Sequence, residues 1–360
     1  MRIAIIGLSN SGKTTVFNAL TRGTVETAAY SSGQLEPNLA TVKVPDERLD
    51  RLTQMFNPRK TTPAEVQYVD VAGIDSSRQQ KTGLPPALLN YISGADALLH
   101  VVRSFEDATV PHPDESLDVA RDVANIDLEL TFSDLAIIER RLERLSAEIG
   151  KMAGRDREAR VAERELLLRL QEALESDVPI RDLTLSDEEE RSLRGYQFLT
   201  AKPLLIVLNI GEGQLAAPPA LNYAHRQSAV VPLCGKIEAE LAQLEDADAQ
   251  AFMDDLGITT PARNRVIQLS YELLGLISFL TTGPDEVRAW TIRQNTPAVE
   301  AAGAIHSDIQ RGFIRAEVVA YADLVAAGGM TEAKKAGVVR FEGKQYIVKD
   351  GDICHFLFNV

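Results

Sequence analysis

Cysteine is scarce in this chain: its 360 residues include two, Cys234 and Cys354, and they form no Cys-x-x-Cys pair. Such usage favours a reducing compartment, with both thiols buried as small apolar side chains, over a disulfide framework. No cluster of His, Cys and acidic residues has the spacing of zinc ligands, and the sequence shows no nucleophile–base pair. These absences argue against a zinc enzyme and against covalent catalysis.

Long hydrophobic runs are lacking as well. No stretch approaches the ~20 apolar residues of a membrane span, and the N-terminal run at residues 3–6 is too short for a signal peptide. We therefore expect a cytoplasmic protein with no membrane partner. Basic residues are not in excess either: the net charge of -14 argues against broad binding to nucleic acid and against sequence-specific DNA recognition, although a local basic face could still dock on RNA.

The composition, with 45% hydrophobic and 25% charged residues, is that of an ordinary globular chain with room for two or three domains. Short runs rich in Val, Ile and Leu, most of them ending at turn or polar residues, predict buried parallel strands. They lie at residues 3–6, 41–44, 66–69, 97–102, 204–208 and 229–233. Because helical segments alternate with these runs, we predict a doubly wound α/β domain.

Residues 128–194 contain no strand-like run. Apolar residues recur there at alternating steps of three and four, which predicts a heptad seam; they are Leu135, Ile138, Leu142, Leu145, Ile149 and Met152. A turn at 150–154 and a returning face of Leu167, Leu170 and Leu174 complete an antiparallel helical hairpin. We expect this hairpin to be inserted into the α/β domain.

The pattern of apolar residues changes again after about residue 276. Strand-like runs at 287–292, 313–319, 345–348 and 355–358 are separated by turns that contain glycine, which predicts a small α+β domain. The predicted organisation is an α/β domain in two segments (1–127 and 199–275), the inserted helical domain (128–198) and the C-terminal domain (276–360).

The first strand leads into Gly7-Leu8-Ser9-Asn10-Ser11-Gly12-Lys13-Thr14, a phosphate-binding loop that opens a helix. Backbone N–H groups at such a helix start converge on phosphate, and Gly7 and Gly12 permit the close approach. Lys13 would contact the β- and γ-phosphates, and the Thr14 hydroxyl would bind Mg²⁺. The predicted phosphate-binding residues of the loop are Asn10, Ser11, Gly12, Lys13, Thr14 and Thr15.

Asp70-Val71-Ala72-Gly73 follows the predicted strand at 66–69. In this context Asp70 would hold Mg²⁺ through water, and the Gly73 N–H would contact the γ-phosphate. The alternative is an ordinary aspartate that caps a turn at the end of a strand.

Asn209-Ile210-Gly211-Glu212 follows the predicted strand at 204–208. GTPases carry Asn-Lys-x-Asp at this place, where the aspartate accepts two hydrogen bonds from guanine. Here Ile210 replaces the lysine and Glu212 the aspartate, so exclusive GTP specificity is not expected. We predict that Asn209, Ile210 and Glu212 bind the base; the alternative is a surface loop that does not.

With these motifs the chain resembles the YchF family, the bacterial branch of the Obg-like ATPases within the translation-factor class of P-loop proteins. Further matching segments lie at residues 35–38, 44–46, 288–291, 312–317, 342–344, 350–352 and 356–360. The resemblance implies a Ras-like G domain, an inserted coiled-coil domain and a C-terminal TGS domain with the β-grasp fold. It also implies preference for ATP over GTP, slow hydrolysis and association with the ribosome.

The chain departs from the family pattern at three places. Gln34 stands where switch I usually has a threonine of the Mg²⁺ shell, and a glutamine amide oxygen can also bind the metal. Residues 75–81 replace a segment rich in Gly and Lys, and Ser11 replaces the usual Val.

Water activation is the least determined step. Ile74 occupies the place of the glutamine that orients water in Ras-like enzymes, so another group, K⁺ or a partner would have to do this. His112 matches a family histidine proposed for that role; a solvent-exposed loop histidine is the alternative. For His306, which also matches a family motif, we favour packing or hydrogen bonding within the TGS domain.

The leading hypothesis is therefore a monomeric ATP-hydrolysing switch with a ribosomal partner. Two alternatives remain: a nucleotide-dependent ribosome-binding module with negligible hydrolysis, and an Obg-type GTPase.

Overall fold

The computed structural model describes residues 1–24, 37–71, 84–107, 109–110, 112, 116–151 and 153–359. The chain divides into two compact units, Met1–Ala40 with Gln67–Val266, and Thr41–Val66 with Ile267–Val360. The domain boundaries predicted above differ in assigning residues 41–66 to the α/β domain, and they remain a prediction. Within the described ranges, no helix is both long and apolar enough to cross a lipid bilayer.

The strands are β1 (Arg2–Ile6), β2 (Asn38–Lys43), β3 (Lys60–Thr62), β4 (Glu65–Asp70), β5 (Ala97–Ser104), β6 (Leu204–Ile210), β7 (Ser228–Leu233), β8 (Leu276–Thr281), β9 (Glu286–Arg293), β10 (Phe313–Ala320), β11 (Arg340–Glu342) and β12 (Asp352–Phe358). The helices are α1 (Lys13–Thr21), α2 (Glu47–Phe56), α3 (Pro86–Ser93), α4 (Val119–Ile149), α5 (Gly154–Glu175), α6 (Asp187–Leu193), α7 (Gly235–Gln243), α8 (Asp246–Asp255), α9 (Ala262–Leu273), α10 (Ala298–Ile305), α11 (Ser307–Arg311), α12 (Tyr321–Ala327) and α13 (Met330–Lys335). Short 3₁₀ turns lie at Ile180–Asp182, Arg194–Tyr196 and Glu212–Gln214.

A six-stranded sheet in the order β2-β4-β1-β5-β6-β7 has most of its residues in the first unit. Strand β1 pairs in parallel with β4 and β5, β5 pairs in parallel with β6, and β6 with β7. Every residue of β5 and β6 is buried, as expected for strands covered on both faces. The predicted doubly wound α/β domain is confirmed. Because these strands run in parallel, the loops that follow β1, β4, β5 and β6 start at one edge of the sheet.

The predicted helical hairpin is also confirmed. Helix α4 ends at Ile149 and α5 begins at Gly154, where φ is +62°. The two helices contribute five residues to one buried hydrophobic cluster: Ile138, Leu145, Leu167, Leu170 and Leu174. Helix α4 starts earlier than predicted, because Asp118 caps it by accepting a hydrogen bond from Arg121 N. Met152 lies outside the described residues.

The second unit has a mixed six-stranded sheet in the order β11-β10-β12-β8-β9-β3. Its core packs α10 against the sheet through three alanines that are fully buried, Ala298, Ala301 and Ala302.

Two details of this unit differ from the sequence prediction. The run at Leu276–Thr281, which was not predicted as a strand, forms β8. The predicted strand at 345–348 is wrong: within it only Ile347 forms a bridge, to Pro297. Tyr346 O accepts from Ala298 N, and Val348 N donates to Thr296 O. The segment therefore satisfies its backbone against the start of α10 instead of extending the sheet.

Candidate nucleotide site

The phosphate loop between β1 and α1 has a backbone that glycine alone fits at two positions. Gly7 has φ of +151° and Gly12 has φ of +90°. A Cβ on Gly7 would lie 2.4 Å from Val101 O, and one on Gly12 would lie 2.2 Å from Asn209 Nδ2. Asn10 also adopts a left-handed conformation, with φ of +62°, which asparagine tolerates better than most residues. The loop is thus a rigid turn that leads into the N-terminus of α1.

Lys13 lies at the start of α1 with a buried side chain. Its Nζ donates a hydrogen bond to Leu8 O at 2.8 Å, which folds the side chain back along the loop. Burial lowers the pKa of Lys13 to about 8, and the negative charge of Asp70 opposes this shift. A buried ammonium group with one carbonyl partner is placed to gain strongly from an arriving phosphate.

Thr14 and Asp70 meet at the same edge of the sheet. The Thr14 hydroxyl donates to Asp70 Oδ2 at 2.9 Å, and Asp70 Oδ1 is buried with no hydrogen-bond partner among the described residues. Burial raises the pKa of Asp70, while Thr14, Lys13 and Asn38 pull that pKa down. A hydroxyl beside an under-coordinated carboxylate fits Mg²⁺, which takes hard oxygen ligands from one or two protein groups together with waters and phosphates.

Asn209, at the end of β6, connects two parts of the site. Its Nδ2 donates to Ser11 O, its Oδ1 accepts from Gly235 N, both at 3.0 Å, and the residue is buried. The two other residues predicted to bind the base lie differently. The side chain of Ile210 packs in the core of the first unit, and the exposed Glu212 forms an ion pair of 2.8 Å with Lys236.

Sequence reasoning did not single out Arg103 and Phe105, which the structure places beside the predicted base loop. Arg103 of β5 is paired in register with Asn209 of β6. The Phe105 Cβ lies 3.5 Å from the position that a Cβ on Gly211 would take, so this aromatic residue adjoins the predicted base loop. An aromatic residue directly after a buried strand, at the edge where the phosphate loop begins, is the pattern that could have identified it.

His112 is held by Asp122 near the start of α4. Its Nε2 lies 2.9 Å from Asp122 Oδ2, and the imidazole is 8% exposed. The alternative of a freely exposed loop histidine does not describe this side chain, and its catalytic role remains a prediction. Gln34, Gly73 and Ile74 lie outside the described residues. His306 accepts a hydrogen bond from Asp308 N and caps α11, in line with the structural role favoured for it.

These features together define a class. A glycine-shaped loop at a helix N-terminus, a buried lysine and a Thr–Asp pair lie at one edge of a largely parallel sheet; they make this chain a P-loop nucleoside triphosphatase with a G-type domain. The family model YchF-GTPase_C, described as a protein of unknown function (DUF933), matches residues 276–359. A second model, MMR_HSR1, described as a 50S ribosome-binding GTPase, matches residues 2–135.

Full-length relatives agree with both matches. The ribosome-binding ATPase YchF of Bacillus subtilis is 43% identical and that of Escherichia coli O157:H7 is 40% identical; the alignments cover 99% and 100% of this chain and 98% and 99% of the relatives. The solved structure of the Schizosaccharomyces pombe YchF GTPase superimposes with a TM-score of 0.85 at 30% identity, covering 99% of this chain and 97% of that one. The chain belongs to the YchF family.

Proposed function

We propose that this protein is a ribosome-associated switch that binds and slowly hydrolyses ATP with Mg²⁺, and that it prefers ATP to GTP. The observation that carries the proposal is the pairing of an intact phosphate site, Lys13 with Thr14 and Asp70, with an altered base loop. The names of its bacterial relatives, ribosome-binding ATPases, support the ribosomal partner. We place its action in the cytoplasm, as a monomer.

The phosphate half of the site does most of the binding in this proposal. Backbone N–H groups of residues 10–15 and the Lys13 ammonium hold the β- and γ-phosphates. Thr14 and Asp70 hold Mg²⁺, Asp70 through water, and the ion neutralises charge on the phosphates. Gly73 is proposed to contact the γ-phosphate through its N–H, and Gln34 to join the Mg²⁺ shell, when the triphosphate is bound.

The base half weakens the recognition of guanine on two grounds. Recognition of guanine by the Asn-Lys-x-Asp loop depends on a free carboxylate that accepts two hydrogen bonds from one edge of the base. Glu212 is one methylene longer than that aspartate, and its carboxylate is already engaged by Lys236. Asn209 is likewise held by Ser11 and Gly235, so besides its predicted contact with the base it shapes the loop that the base meets.

Water activation is assigned to His112 or to a bound K⁺. The carboxylate of Asp122 holds the imidazole in place, and an imidazole held in this way could orient water or take its proton. Potassium dependence separates the two assignments: an ion-driven reaction stops when K⁺ is replaced by Na⁺, whereas a His112-driven one continues and is lost in His112→Ala.

Single-turnover hydrolysis of ATP and GTP, with Mg²⁺ and K⁺ and with or without ribosomes, tests the proposal. We expect slow ATP turnover that Lys13→Ala abolishes and that the control Lys335→Ala, at an exposed position of α13, retains. Turnover of neither nucleotide would overturn the enzyme assignment; if ribosome binding still followed nucleotide, the protein would be a nucleotide-dependent binding module. Tighter binding of GTP than of ATP would make it an Obg-type GTPase.

A further inference from the structure

We propose that Arg103 is a positioning residue for the base end of the nucleotide site: it fixes the turn after β5 and holds the Phe105 ring beside the base loop. This inference rests on the proposed function. It concerns a residue outside the phosphate, metal and base motifs. It also explains why an arginine is found in a buried strand, where apolar side chains are usual.

The surroundings of Arg103 are unusual for a cation. The residue is 5% exposed and belongs to a strand in which every residue is buried. Charged side chains are rarely buried unless a carboxylate pairs with them. Here the described hydrogen bonds of the guanidinium go to backbone carbonyls: Nε donates to Phe105 O at 3.1 Å and Nη2 donates to Asp107 O at 3.3 Å.

These two bonds tie down the first residues after the strand. Asp107 completes the turn by accepting from Thr109 N and from the Thr109 hydroxyl. A guanidinium is planar and carries its donors in a fixed fork, so two carbonyls two residues apart are held in one plane. A lysine has a single ammonium group at the end of a flexible chain and could not hold both carbonyls with the same geometry.

The same guanidinium also lies over an aromatic ring. The Arg103 Cζ is 4.7 Å from the centroid of the Phe105 ring, within the range of a cation–π contact. Arg103 thus holds Phe105 twice, through its carbonyl and through its ring. The Phe105 Cβ adjoins Gly211 of the base loop. The orientation of the Phe105 ring therefore determines which surface lies beside that loop.

One donor of Arg103 remains available. Its Nη1 is buried and has no hydrogen-bond partner among the described residues, which carries a free-energy cost that a purely structural arginine would avoid. Burial lowers the pKa of Arg103, and the charges of Asp107 and Asp122 partly offset this. Arg103 is thus a buried charge with one donor unpaired among the described residues, and it is paired in register with Asn209. This combination points to a function at the base loop.

Binding of the base and binding of the phosphates should therefore depend on different residues, and the two can be measured separately. A flat ring that is held rigidly offers a stacking surface to a nucleobase, and the loss of one such stacking contact weakens binding by roughly tenfold. Arg103 should therefore affect ligands that carry a base. It should not affect inorganic tripolyphosphate, which uses the Lys13 half of the site alone.

Calorimetric titration with ATP and with tripolyphosphate, both in Mg²⁺, tests this on the full-length protein. We compare the parent with Arg103→Leu, Arg103→Lys, Phe105→Ala and the Arg103→Leu/Phe105→Ala double variant, each checked for folding by circular dichroism. We expect each single variant to weaken ATP binding about tenfold and to leave tripolyphosphate binding within about twofold. The double variant should bind ATP no more weakly than Phe105→Ala, because Arg103 acts through that ring.

Three results would overturn the inference. Equal losses for ATP and tripolyphosphate would make Arg103 a general structural residue, and fully additive losses in the double variant would show that it does not act through Phe105. Full ATP affinity in Arg103→Lys would show that the planar fork is not needed. A parent protein that binds neither ligand would instead refute the proposed function, and this inference with it.

Discussion

The side-chain amide of Asn209 joins the phosphate loop to the start of α7: it donates to Ser11 O and accepts from Gly235 N, both at 3.0 Å. Ser11 and Gly235 are 224 residues apart in sequence, so one buried side chain holds together the two ends of the site. A Cβ on Gly12 or on Gly235 would lie within 3.0 Å of this amide. The fit among these residues makes Asn209 a structural element of the site as well as a predicted base ligand.

We predict that Asn209→Asp weakens both folding and ATP binding. A carboxylate would face Ser11 O with an acceptor in place of a donor, so a buried carbonyl would lose its partner and meet a negative charge. Leaving such a group unpaired costs about 1–3 kcal/mol. Urea unfolding and ATP titration measure the two effects, and Asn222→Asp, at an exposed position, is the matched control. Unchanged unfolding and affinity in Asn209→Asp would contradict the bridging role.

Asp134 is predicted to anchor the helical hairpin. It is fully buried on α4 and accepts hydrogen bonds from Leu199 N, Thr200 N and the Thr200 hydroxyl. Asp134→Ala leaves these buried donors unpaired at about 1–3 kcal/mol each, and removing a costly buried charge offsets part of the loss. We expect the free energy of unfolding to fall by about 2–4 kcal/mol.

The control for Asp134 is Glu139→Ala, an exposed acidic residue on the same helix. Its effect on urea unfolding should stay within about 0.5 kcal/mol. If Asp134→Ala were as mild as this control, the three hydrogen bonds would contribute no net stability to the hairpin.

His100 predicts a specific acid sensitivity. It is 1% exposed in the middle of β5, and neither ring nitrogen has a hydrogen-bond partner among the described residues. Burial, with the positive charge of Lys13, lowers the pKa of His100 to about 3. The unfolded chain takes up the proton near the ordinary histidine pKa of about 6.5, so the stability from this residue is present above that pH and is lost as the pH falls.

Between pH 7.5 and pH 5.5 this loss should be about 1.4 kcal/mol. We expect His100→Leu to remove that part of the pH dependence in urea unfolding while remaining at least as stable as the parent at pH 7.5, since it deletes two unpaired polar atoms. His306→Leu, at an exposed histidine, should keep the parental slope. If the free energy of unfolding of His100→Leu fell with pH as steeply as that of the parent, His100 would take up its proton in the folded protein as readily as in the unfolded chain.

The phosphate site was predictable from sequence because its chemistry lies in consecutive residues. Gly7, Gly12, Lys13 and Thr14 occupy fixed places in one loop, and the neighbouring apolar runs identify the strand before it. The helical hairpin was predictable for a similar reason, since Leu167, Leu170 and Leu174 repeat with the period of a helix face.

Relationships between distant segments were not predictable in this way. Strand β3 has three residues, too few to show a pattern, and it joins the sheet of the second unit by pairing with β9. Arg103 directly follows an apolar run, and its proposed role depends on the Phe105 ring and on the register with Asn209. Such features come from tertiary packing, which propensity and periodicity do not encode.

Arg48 explains why two separate sequence motifs of the family accompany each other. On α2, its guanidinium donates to both carboxylate oxygens of Asp46 and to both of Asp350. Asp350 also accepts from Ser278 N in β8, and a Cβ on Gly351, where φ is +81°, would lie 2.7 Å from Arg48 Nη1. The motifs at 44–46 and 350–352 are thus two sides of one charged clamp within the second unit.

We predict that Arg48→Ala lowers the free energy of unfolding of this unit by about 1–2 kcal/mol, because two bidentate pairs are lost from a partly exposed site. The loss should shrink in 1 M salt, where exposed charges are screened over about 3 Å. Arg51→Ala, on the same helix, is the matched control, since Arg51 is exposed and its hydrogen bond to Gln54 is long at 3.4 Å. Urea unfolding at low and high salt gives the comparison; equal effects of the two substitutions at low salt would rule out the clamp as a stabilising element.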